Sequence, residues 1–151
     1  MEMQSKILPL GGDRGGLLPL GGDRGGLLPL GEIGGLYTIT AKEINGDGGV
    51  FHIRLNPECL IYKAHFPEQP ITPGVCITQI AVELAEIIVG HSLQMIGIKN
   101  VKFLSIMTPD TQTEVTYTIT IKNSDDNNTR IQAVAQSDDV VYAKMSLICK
   151  R

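Results

Sequence analysis

Beginning at residue 37, side chains alternate between apolar and polar: Tyr37, Ile39 and Ala41 fall between Thr38, Thr40 and Lys42. A period of two is that of a strand buried on one face. The Gly-rich run 45–49 then reverses the chain, and Val50, Phe51, Ile53 and Leu55 predict a second strand that completes a hairpin. Pro57 ends it, and residues 58–64 lead into a loop. Farther on, the pattern predicts a long strand over 95–106, a turn at Pro109 and Asp110, and a cleanly alternating strand over 114–121. A polar turn over 123–128 and a last hairpin from 130–136 and 140–148 complete the chain.

Between these two groups of strands the period changes. Pro67, Pro70 and Pro73 each fix φ and bar the preceding residue from the helical region, so residues 65–72 run extended or turned and no helix begins before Pro73. From Val75, apolar residues recur at Ile80, Leu84, Ile87 and Ile88, and Ile77, Val82 and Val89 make the other face apolar as well. A largely buried helix over 75–89 follows, about 15 residues and roughly 22 Å long. Gln79, Glu83 and Glu86 interrupt it at offsets of four and three, one stripe, which on an amphipathic helix reads as a solvated polar row. Gly90 and His91 stand where a C-terminal cap belongs. Six strands and one buried helix in this order predict an α+β domain, an antiparallel sheet wrapped around one long central helix.

The N-terminal part has a different character. Residues 8–17, LPLGGDRGGL, recur unchanged at 18–27, and a diverged copy, LPLGEIGGLY, occupies 28–37. Each copy is too short and too rich in glycine to build a core, so residues 1–35 are expected to form a flexible extension, with the domain proper over 36–151. The other use for the extension is docking, its Leu-Leu-Pro-Leu segments resting on a partner or on the domain itself.

Composition narrows the function. The 42% hydrophobic content is ample for the core of one small domain. A formal charge of −3, with no cluster of lysine or arginine, argues against a nucleic-acid binder. Cys59, Cys76 and Cys149 are odd in number and far apart, which fits free thiols in a reducing compartment. Cys76 reads as a small buried residue, His52 as an outward-facing strand residue and His91 as a helix-end residue; none has metal-ligand spacing with His65. No apolar run reaches the roughly 20 residues that span a bilayer, and no basic-then-apolar leader opens the chain, so a cytoplasmic protein is expected.

The residues joining loop to helix carry chemistry. The run His65-Phe66-Pro67-Glu68-Gln69-Pro70-Ile71-Thr72-Pro73-Gly74-Val75 resembles the HFPxxPxxPGV signature of the 3-hydroxyacyl-acyl-carrier-protein dehydratases, enzymes of the hot-dog fold. Downstream, Ile98-Lys99-Asn100-Val101-Lys102-Phe103, with Pro109-Asp110 following, resembles that family's third-strand segment, so the likeness runs from residue 36 to the C-terminus. The resemblance implies a hot-dog domain that pairs edge to edge as a homodimer, with active sites at the interface. It also implies no metal or other cofactor, and an acyl carrier protein as the partner that delivers substrate in fatty-acid or related lipid or polyene synthesis.

Removing water from a 3-hydroxyacyl thioester needs a base for the proton next to the carbonyl, an acid for the departing hydroxyl, and donors for the enolate-like oxygen. By the resemblance, His65 is the base, the backbone N–H of Gly74 or its neighbour holds the thioester oxygen, and Phe66, Pro73, Gly74 and Val75 contact the substrate. The family's acid is a carboxylate on the partner chain's helix, fourteen residues after the histidine, commonly followed one turn later by glutamine. Here that position is Gln79, and Glu83 stands one turn on, so acid and amide are exchanged. An amide has no titratable proton, and losing the acid without replacement lowers a rate about 10²- to 10⁴-fold. Three outcomes follow: Glu83 serves from about 6 Å further along the helix, Gln79 positions a water, or the protein binds acyl chains without dehydrating them. Two further departures are Ala64, in place of the usual glycine before the histidine, and Leu104-Ser105, in place of a basic pair, leaving Lys63, Lys99 and Lys102 to meet an acidic carrier. A dehydratase is the leading reading. A non-catalytic acyl-thioester-binding module and a hot-dog thioesterase, in which Glu83 activates water, are its alternatives.

Overall fold

The computed structural model describes residues 11–12, 14–15, 35–64, 68, 70–109, 114–123 and 127–151. Within the first repeat, Gly11–Gly12 and Arg14–Gly15 pair as a short antiparallel ladder. The rest of the expected extension, up to residue 34, lies outside the described residues.

Six strands follow: β1 (Tyr37–Asn45), β2 (Gly48–Leu55), β3 (Gln94–Phe103), β4 (Glu114–Asn123), β5 (Thr129–Ser137) and β6 (Val140–Lys150). They form one antiparallel sheet in the order β1-β2-β4-β5-β6-β3. The chain therefore leaves β2 near one edge and returns as β3 at the opposite edge. The crossing segment holds α1 (Leu60–Ala64), the proline loop and α2 (Gly74–Val89), and α2 packs on β4 and β5, touching β2 and β3 as well.

The register explains how a sheet built from alternating sequences receives that helix. Phe51, Tyr117, Ala135, Ala143 and Phe103 fall in one cross-strand row, and Ile119, Ala133, Met145 and Val101 in the next. Alanines on β5 and β6 keep this face shallow, so the helix side chains Ile77, Ile80, Ala81 and Leu84 pack closely and are almost fully buried. Burying each of the larger residues, such as Phe51, Ile80, Leu84 and Leu147, contributes about 1.5–3 kcal/mol. At the far end of α2, a Cβ on Gly49 would stand 3.2 Å from Ile88 Cδ1, so glycine there lets the helix end approach β2.

Four local expectations change. The sheet has its six strands, but the helical part contains α1 as well as the 16-residue α2, because residues 60–64 wind into a helix before the proline loop. Alternation on β1 fails beyond Ile39: a bulge between Ile39 and Ala41 shifts the register, so Ala41 opposes His52 and is exposed. The hairpin turn is shorter than residues 45–49, since Asn45 already pairs with Gly48, leaving Gly46, at φ 58, and Asp47 as the loop. Finally β3 stops at Phe103 instead of 106; Leu104 and Ser105 both donate their N–H to Tyr142 O, at 2.8 and 3.3 Å, and one acceptor for two donors ends the ladder.

Candidate functional site around the N-terminus of α2

Pro73 is the cap of α2, with φ −61 and ψ 147, and its carbonyl accepts from the N–H of Cys76 and of Ile77 at 3.0 and 3.1 Å. A helix leaves its first N–H groups without an intrahelical acceptor. Those of Gly74 and Val75 are in that position, at the end of the helix where the peptide dipoles favour negative charge. They suit a developing oxyanion.

The segment before the cap is held from two sides. The Thr72 N–H donates to Met107 O at 2.8 Å, and its hydroxyl lies 2.8 Å from the Tyr62 hydroxyl, both side chains being buried. Tyr62 comes from α1, so the helix that precedes the loop also braces its far end. Gly74 lies tight against β3: a Cβ would come within 2.8 Å of Phe103 Cζ and 3.1 Å of Cε2, so the ring or the helix start would have to shift. The end of β3 thus sits directly on the first turn of α2. Tyr117 of β4 fastens the next turn by donating to Ile77 O at 3.0 Å.

His65, Phe66, Pro67 and Gln69 lie outside the described residues, while Pro73, Gly74 and Val75 occupy the helix start as the sequence predicts. The polar row on α2 is where the structure differs most from expectation. Glu83 is not solvated; it is 7% exposed. Its Oε1 accepts from the Tyr37 hydroxyl at 2.8 Å, and its Oε2 accepts from Gln79 Nε2 at 3.2 Å. Glu86, half-buried, accepts the Leu93 N–H at 2.8 Å and so closes the connection between α2 and β3. Along this row Gln79 and Glu86 stay half-buried while Glu83 turns to Tyr37 of β1, and the carboxylates of Glu83 and Glu86 are met by internal donors.

The electrostatics follow from burial. The Tyr37 phenol is pushed well above its usual range, first by burial and then by the adjacent Glu83. The Tyr117 phenol is raised by burial and by Cys76, Tyr62 and Glu83 around it. Cys76 is fully buried and its thiol is likewise raised, by desolvation, then by Cys59 and Glu83. It is a packing residue, as predicted, and stays protonated. His52 is exposed and pairs with Thr116 on the outer face of the sheet, and His91 follows the Gly90 cap, which has φ 82. Sequence reasoning missed Tyr37, Tyr62, Thr72 and Phe103. Tyr62 and Thr72 stand ten residues apart on either side of the proline loop, a weak local signal, whereas Tyr37 and Phe103 reach the site only through the sheet.

A single antiparallel sheet carrying a helix across one face, with the helix start braced by a proline loop, defines a hot-dog domain of the dehydratase class. A family model, ApeI-like, described as the ApeI dehydratase, matches residues 41–145, and the chain belongs to this family. Among solved structures the fold is shared with the dehydratase heterocomplex ApeI:P from Xenorhabdus doucetiae, at 18% identity and a TM-score of 0.57, covering 75% of this chain and 96% of that one. It is shared too with an uncharacterized protein from Erwinia carotovora subsp. atroseptica, at 16% identity and a TM-score of 0.54, covering 76% and 94%. Among the described residues no helix is long and apolar enough to cross a membrane.

Proposed function

We propose that this member of the ApeI-like dehydratases removes water from a 3-hydroxyacyl thioester delivered by an acyl carrier protein, in the cytoplasm, with His65 and Glu83 as the acid–base pair. The observation that carries the reading is the buried Glu83 carboxyl, bonded through Oε2 to Gln79 on the same helix. It answers the loss of the family's acid at position 79: the exchanged residues remain joined, so a proton held by Glu83 stands next to the position where the family keeps its own. In the reaction His65 takes the proton next to the carbonyl, the N–H groups at Gly74 and Val75 hold the thioester oxygen, and the C–O bond breaks as Glu83 protonates the hydroxyl. Water leaves, and proton transfer from His65 back to Glu83 resets the site.

Assembly is part of the proposal. Strand β3 is a sheet edge, and Ile96 and Ile98 on it are 48% and 38% exposed. Edge-to-edge pairing with a second copy covers them. Because the ApeI:P relative is a heterocomplex, mass determination in solution, alone and with co-expressed neighbours, distinguishes a homodimer from a mixed assembly. The repeat segment is proposed to be a flexible extension outside the catalytic domain.

The functional test is turnover of a 3-hydroxyacyl thioester, on an acyl carrier protein and on a pantetheine carrier. Wild type is expected to form the 2-enoyl thioester; His65→Ala and Glu83→Gln each lose about 10²- to 10⁴-fold, and Gln79→Ala loses far less. Glu83→Gln at the wild-type rate would overturn the assignment of the acid. Release of free thiol in place of enoyl product would identify a thioesterase, and acyl binding without turnover a binding module.

A further inference from the structure

We infer that Tyr37 is a positioning residue for this reaction: its hydroxyl anchors Glu83 Oε1 and leaves Oε2, on the Gln79 side, as the oxygen that exchanges the proton. The inference rests on the reading that puts Glu83 in the chemistry.

Tyr37 opens β1, on the sheet edge opposite β3, and stands 46 residues from Glu83 in the chain. Both residues are buried, at 5% and 7% exposure, so their 2.8 Å bond is a fixed contact shielded from water. With the phenol held protonated by its surroundings, Tyr37 remains a donor throughout the pH range in which an enzyme works. A carboxylic acid has one oxygen that accepts and one that carries the proton. A permanent donor on Oε1 makes that oxygen the acceptor and puts the proton on Oε2. In the structure Gln79 Nε2 donates to Oε2, the arrangement for the carboxylate; an amide that turns over would offer its oxygen to a protonated Oε2. The remaining titratable groups beside this pair among the described residues are Tyr117 from β4 and Cys76 and Glu86 on α2. Tyr37 brings a hydrogen bond to Glu83 Oε1 from outside the helix, from a strand 46 residues away in the chain.

Tyr37→Phe keeps the ring and deletes the donor. The expected result is a fall in kcat of about tenfold with KM little changed, the loss of roughly one hydrogen bond's orientation. A bond to the ionised form is stronger than one to the neutral form, so the Glu83 carboxyl, identified as the ¹³Cδ glutamate resonance missing from Glu83→Gln, should titrate about one pH unit higher. The pH–rate profile should move the same way. A packing role would change thermal stability and leave both titrations alone. An unmoved resonance and a wild-type kcat in Tyr37→Phe, with Glu83→Gln inactive, would overturn the role of Tyr37 alone; an active Glu83→Gln would overturn the underlying reading and this inference together. Should Tyr37→Phe fail to fold, 3,5-difluorotyrosine at position 37 keeps ring and hydroxyl while strengthening the donor. The Glu83 resonance must then titrate lower than in wild type, and no change would refute the inference.

Discussion

Replacing Gly74 by alanine tests the junction between β3 and α2 most directly. The added Cβ would stand 2.8 Å from Phe103 Cζ, 3.1 Å from Cε2 and 3.4 Å from Cε1. Ordinary carbon contacts need about 3.5–4.0 Å, so either the ring or the first turn of α2 recedes by close to 1 Å. Overpacking of this kind costs about 1–3 kcal/mol. Against it stands a gain of about 0.4–1 kcal/mol from restricting the unfolded chain, because Gly74 has ordinary helical φ and alanine accepts it. The balance is a loss of up to about 2.6 kcal/mol, about 1.3 at mid-range, which at roughly 4 °C per kcal/mol for a domain of this size lowers Tm by about 5 °C. Thermal unfolding followed by circular dichroism measures it. The diagnostic step is the same substitution in a Phe103→Leu background, where the atoms that clash are gone: there Gly74→Ala should cost nothing or stabilise. Equal destabilisation in both backgrounds, or a Tm increase in the wild-type background, would refute the assignment of Gly74 to the Phe103 contact. If α2 moves and not the ring, dehydration should slow beyond what the loss of folded protein explains, since the proposed oxyanion donors move with it.

Two further outcomes rest on buried groups. Tyr62→Phe removes one partner of the buried Tyr62–Thr72 pair and strands the Thr72 hydroxyl; about 1–3 kcal/mol of stability should be lost in denaturant titration, with the proline loop more readily cleaved by protease. Burial pushes the Cys149 thiol up to about 12 from 9.0, with Glu86 adding to the rise, and raises Cys59, Cys76, Tyr37, Tyr62 and Tyr117 as well. Above pH 9 the unfolded chain therefore releases protons that the folded one keeps. Stability, present in full below pH 9, should decline as pH rises from 9 toward 12, and a flat stability profile over that window would contradict the burial. In the native state at neutral pH the three cysteines should resist a thiol reagent that labels all of them in denaturant.

What could be read in the chain was local. Period-two alternation marked Val50 to Leu55 and residues 114–121 as strands, three prolines barred a helix before Pro73 and put its start within a residue of Gly74, and Gly90 set its end, because each signal lies within a few residues of its effect. The His65 to Val75 run pointed to the dehydratases for the same reason: a loop that positions a helix start is written in consecutive residues. The bulge at Ile39 and Ala41 was not legible, since either register satisfies a two-residue period until a partner strand imposes one. Nor was the state of Glu83. A row of Gln79, Glu83 and Glu86 has the same spacing whether water or a strand faces it, and only the fold brings Tyr37 across 46 residues to fill the second side of that carboxyl. The sheet order β1-β2-β4-β5-β6-β3, which sets what covers α2, is a product of long-range pairing. Spacing along a chain specifies which residues share a face; what that face meets, and so which carboxyl is buried and held, is decided by contacts between elements distant in sequence.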